Sequence, residues 1–110
     1  MNGKQKMREV IQAVVQKIVA GYEPEKVILF GSYAHGEPDE DSDIDLLIIK
    51  ETPERFLDRL DRVRQSAGGT HPRIPFEPIV LTPGELEEGL RAGNQFIAEI
   101  MQRGEVLYAA

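Results

Sequence analysis

Two acids open an otherwise apolar strand in this chain, and that conflict restricts what it can fold into. In Asp43-Ile44-Asp45-Leu46-Leu47-Ile48-Ile49 the apolar run reads as a buried strand. Carboxylates at its start are costly in a core unless they are paired or bind a metal. Asp43 and Asp45 are two positions apart, so on a strand both side chains project from the same face. That face suits Mg²⁺, which takes one or two carboxylates and completes its shell with water and substrate phosphates. An EF-hand-like calcium loop beginning at Asp41 is excluded, because its sixth position needs Gly and its twelfth Glu, where this chain has Leu46 and Thr52.

Upstream, Lys26 to Phe30 is a second short buried strand, and it runs into Gly31-Ser32-Tyr33-Ala34-His35-Gly36. A small-residue turn at a strand end leaves backbone N–H groups available, and a helix starting there favours a phosphate through its first-turn amides and dipole. Gly31 permits close approach, and Ser32 can cap the helix or donate its hydroxyl to a phosphate oxygen. Phosphate turn and carboxylate pair together imply one bound species, a metal nucleotide. Between them Glu37, Asp39, Glu40 and Asp41 read as a solvated acidic loop.

The chain of 110 residues is expected to form a single domain, 1–110, with one core. Its net charge of −6 argues against a large sequence-independent nucleic-acid surface, which needs clustered Lys and Arg. The absence of cysteine excludes disulfides and thiolate chemistry and fits a reducing compartment. No apolar run reaches membrane-spanning length and the first residues do not resemble a signal peptide, so a cytoplasmic location is expected.

The element order reads αβαβαα with a short tail, an α/β (α+β) chain with a small mixed sheet flanked by helices. Met7, Val10, Ile11, Val14, Val15, Ile18 and Val19 recur at helical spacing from about Gln5 to Ala20, and Gly21 is expected to end that helix. Thr52-Pro53 marks the next helix start, with Phe56, Leu57, Leu60 and Val63 inward and Arg55, Asp58, Arg59, Asp61 and Arg62 mostly outward. Gly68 to Pro72, with His71, reads as a loop, and Ile74 to Leu81 as the third strand. Thr82-Pro83-Gly84-Glu85 is a capping-box helix start. Leu86, Leu90, Phe96, Ile97, Ile100 and Met101 are expected in the core, with Val106, Leu107 and Tyr108 packing or pairing afterwards.

Gly31-Ser32, the acidic loop, Asp41-Ser42-Asp43-Ile44-Asp45 and the apolar strand together resemble the minimal nucleotidyltransferases of the DNA polymerase beta-type superfamily, from about Val27 to Val106. The resemblance implies a polymerase beta-like fold. It also implies transfer of a nucleoside monophosphate, AMP from ATP, to an acceptor hydroxyl with two Mg²⁺ ions. Gly31 and Ser32 would hold the triphosphate, and His35 stands where relatives often carry a basic side chain, so its phosphate contact would be pH-dependent. A third metal carboxylate and general base would fall at Glu77, counted back from Thr82-Pro83. The family usually has Asp there and an apolar residue in place of Pro78, and Mg²⁺ geometry at about 2.0–2.1 Å tolerates misplacement poorly. Chains of this size resemble the antitoxin halves of modules whose other half is an all-helical HEPN toxin. The implied acceptor is a tyrosine of that toxin; an antitoxin that neutralises its helical partner by binding alone is the alternative.

Overall fold

The computed structural model describes residues 3–36, 43–68 and 76–110. The acidic segment Glu37 to Asp41, His71, and Ile74 and Pro75 at the expected start of the third strand lie outside the described residues.

Helix α1 spans Gly3–Tyr22, strand β1 Lys26–Phe30, the single-turn α2 Ser32–His35 and strand β2 Ile44–Ile49. Helix α3 (Phe56–Ala67), strand β3 (Phe76–Leu81), helices α4 (Pro83–Arg91) and α5 (Gln95–Arg103) and strand β4 (Glu105–Ala109) follow. The strands form one mixed sheet in the order β3-β2-β1-β4. β1 pairs antiparallel with both β2 and β4, whereas β2 and β3 are parallel and need a crossover, which α3 supplies. The expected tail is thus an edge strand.

Strands β1, β2 and β3 divide their side chains between two helical layers. Val27, Leu29, Ile44, Leu46, Ile48 and Val80 pack with Ile11, Val14, Val15 and Ile18 of α1 and Val63 of α3 in the larger core cluster. Ile28, Leu47 and Ile49 face the other way and are buried with Ile100 of α5, flanked by Leu86 and Met101. Alternation along a pleated strand produces this division.

Three helix boundaries and faces differ from expectation. Gly21 does not end α1: it lies inside the helix, where an added Cβ would come within 3.0 Å of Ser66 Oγ, so its role is close approach to α3. The stop comes at Glu23, in the left-handed region with φ 55°, ahead of Pro24, which disfavours helical geometry in the residue before it. Thr52-Pro53 does not start α3 either. Thr52 Oγ1 accepts from Glu54 N–H at 3.1 Å and donates to Glu54 Oε1 at 3.0 Å, a local turn that competes with a helix cap, and α3 begins four residues later at Phe56.

Leu60 and Val63 of α3 face the core as expected, but other positions on the helix do not match. Arg59, expected outward, is 6% exposed, while Phe56 and Leu57, expected inward, are 46% and 71% exposed. Arg59 is held by the carbonyls of Glu54 and Val80 and by the Glu85 carboxylate at 2.6 Å. The capping box forms as expected: Glu85 N–H donates to Thr82 Oγ1 at 3.1 Å and Thr82 N–H to Glu85 Oε1 at 2.8 Å. Leu90 (42% exposed) and Phe96 (54%) are surface residues rather than core. Among the described residues no helix is long and apolar enough to cross a membrane.

Candidate active site

Strand register builds the site. Phe30 of β1 pairs with Asp45 of β2, and Asp45 pairs with Glu77 of β3. Residues paired across a ladder share a face, so Phe30, Asp45 and Glu77 form one row across three strands on the side of α4 and α5. The next row, Ile28-Leu47-Ile79, is apolar and packs with α5. The apolar row is roofed, while Glu77 is exposed and Asp43 and Asp45 are half-buried at the end of the same face.

Gly31 joins the phosphate turn to this row. Its φ of 76° and ψ of −156° lie in a region open essentially only to glycine, and a Cβ there would collide with Asp45 Oδ2. The Asp45 carboxylate therefore rests directly against the turn. Ser32 is the first residue of α2; the N-cap is Gly31, whose carbonyl accepts from the N–H groups of Ala34 and His35, both at 3.1 Å. Ser32 thus does not cap the helix, which leaves the hydroxyl reading of that residue. His35 ends α2 exposed at the mouth of a cavity of about 140 Å³ between the Gly31 turn and α5.

Burial raises the proton affinity of Asp45, and the charges of Asp43 and Glu77 raise it further. Two neighbouring acids of like charge are what a bound cation would offset. Glu77 leans toward α3, with Oε2 3.8 Å from Arg64 Nη2. Arg64 reaches Glu77, and Phe96, Glu99 and Arg103 line the cavity beside Gly31; from the sequence none of them has a site role. Arg64 lay among charges that read as a solvated helix face, and Phe96 at an apolar spacing that read as core.

The nucleotidyltransferase domain family matches this chain over residues 7–104, which takes in the Gly31 turn and all three acids. The chain belongs to that family. The "Putative protein adenylyltransferase" of Methanocaldococcus jannaschii is 36% identical over 103 residues, covering 91% of this nucleotidyltransferase and 67% of the relative. A second M. jannaschii protein of the same printed name is 63% identical over 30 residues, 26% of this chain and 30% of its own length. The crystal structure of a "putative nucleotidyltransferase" from Sulfolobus solfataricus superposes with a TM-score of 0.60 at 26% identity, covering 77% of this chain and 75% of that one. The mixed sheet with its flanking helices is the expected fold.

A nucleoside triphosphate and a divalent metal are general to the family, and the donor chemistry here fits a hard cation in part. Asp43 and Asp45 offer carboxylate oxygens beside a turn that admits phosphate. Among the described residues no three acidic or histidine side chains converge into a metal site. The pair fits an ion that draws its remaining ligands from water and phosphates, with Glu77 on the neighbouring strand opposite Asp45.

Proposed function

We propose that this nucleotidyltransferase transfers AMP from ATP to a tyrosine hydroxyl of an all-helical HEPN-type toxin and so acts as its antitoxin. The observation that carries the reading is the contact of the Asp45 carboxylate with the Gly31 turn, because it joins a cation-binding group to a phosphate-binding one. The relatives' names as protein adenylyltransferases support AMP as the transferred group.

In this reading Gly31 and Ser32 hold the β- and γ-phosphates, and His35 adds a contact from the end of α2. Asp43 and Asp45 hold Mg²⁺, which when bound neutralises phosphate charge and favours ionisation of the attacking oxygen. The acceptor oxygen forms a bond to the α-phosphorus in line, the bond to the bridging oxygen breaks, and pyrophosphate leaves. Glu77, across the ladder from Asp45, takes the acceptor proton.

The ion pair of Glu77 with Arg64 favours a second reading, an antitoxin that acts by binding with a weakened site. Incubation of the protein with the product of its neighbouring gene, Mg²⁺ and ATP labelled on the α-phosphate separates the two. Label on a tyrosine of the partner, absent with Asp43→Asn, is expected. A stable complex that never acquires label would overturn transfer in favour of binding.

A further inference from the structure

The cavity beside Gly31 extends from the phosphate turn to residues of α5 that the chemistry above does not use. Phe30, Ile100 and Phe96 line it. The two phenyl rings meet edge to face, with centroids 5.7 Å apart and planes at 82°. Phe96 nevertheless stays 54% exposed, so aromatic surface is left open. At about 140 Å³ the cavity is close to the roughly 150 Å³ that accepts a benzene ring in an apolar interior. Glu99 and Arg103, one helical turn apart on α5, also line the cavity and pair with each other at 3.6 Å. They bring a carboxylate acceptor and guanidinium donors to an otherwise apolar hole.

Position selects the occupant. The cavity shares Gly31 and His35 with the phosphate turn, and Phe30 is the ladder neighbour of Asp45. A ring seated there thus lies beside the proposed phosphate and metal groups on the same sheet face. We propose that this cavity binds the nucleobase of the nucleoside triphosphate, with the ring packed on Phe96 and Phe30 and its polar edge turned to Glu99 and Arg103. The proposal rests on the nucleotide site described above. A ring-sized cavity with open aromatic surface suits a planar ligand, and base stacking on aromatic side chains is tolerant of sequence.

The test is isothermal titration of the full chain in Mg²⁺ with ATP and, separately, with inorganic tripolyphosphate, which lacks the base. The wild type is expected to bind ATP more tightly than tripolyphosphate. Phe96→Ala should weaken ATP about tenfold, the scale of one lost stacking contact. Its tripolyphosphate affinity should not change, which also shows that the variant is folded. Phe96→Leu, which keeps apolar bulk but not the ring, should fall between them. Equal affinity of the wild type for both ligands, or unchanged ATP binding in Phe96→Ala, would overturn the base site and leave the phosphate site standing. Binding of neither ligand would overturn both.

Discussion

The two faces of the sheet are built from the same alternating strands and end in opposite states. On the α1/α3 side Leu29, Leu46, Ile48 and Val80 are sealed under two helices. On the α4/α5 side the same strands carry Ile28, Leu47 and Ile79 under α5, and then Phe30, Asp45 and Glu77 in a row that the shorter helices leave open. One face is thus sealed along its strands, and the other is apolar under α5 and carries its acids in the row beyond. The acids are tolerable because they stand where the roof stops.

The sharpest break of this comparison is a pair of substitutions on adjacent residues of β2. Asp45→Asn is expected to lower nucleotidyl transfer by on the order of 10²-fold or more, the scale of losing one preorganised charge-stabilising group. Its unfolding midpoint should stay at or above that of the wild type, because the substitution removes a charge that burial and two acids disfavour. Leu46→Ala, one residue on and facing the sealed side, should cost about 2–5 kcal/mol of stability. Urea unfolding and labelled-ATP transfer on both variants check the separation; a strongly destabilised Asp45→Asn would mean that the open row is structural after all.

Gly31→Ala probes the seam between turn and row. The left-handed geometry and the Asp45 carboxylate both oppose a Cβ, so a loss of about 1–3 kcal/mol is expected together with loss of transfer. If Gly31→Ala keeps full activity, Asp45 does not rest on the turn during the reaction.

Much of the open row was legible in the sequence because each part conflicts with its surroundings. Two acids at the head of Leu46-Leu47-Ile48-Ile49 are costly in a core, and Gly31-Ser32 at a strand end marks a tight turn. The capping box at Thr82 was legible for the same reason, since its two hydrogen bonds are local. What stayed hidden depends on distant partners. Arg59 looks like one more surface charge until Val80 and Glu85 are brought to it by the crossover to β3. Thr52-Pro53 carries the residues of a cap, but Glu54 captures the Thr52 hydroxyl first. Phe96 has core spacing, but in the fold it meets Phe30 edge to face and stays 54% exposed.

Arg59 supplies the smallest and most specific test of how the two faces are joined. Its guanidinium comes from α3 on the sealed side and reaches Glu85 on α4, the helix that roofs the other. The hydrogen bond from Arg59, followed by that from the Thr82 backbone, holds the Glu85 carboxyl below the usual carboxylate range. A depressed carboxyl contributes stability that is present above its unfolded value and lost as pH falls through its folded one. Wild type should therefore exceed Glu85→Gln in stability at pH 7, and the gap should close in acid once Glu85 is protonated, because a neutral carboxyl and an amide then make comparable contacts. Urea titrations of both proteins from neutral pH to well below the carboxylate range measure this. A gap that persists unchanged in acid would show that shape, not charge, joins α3 to α4. The open face would then owe its roof to packing alone.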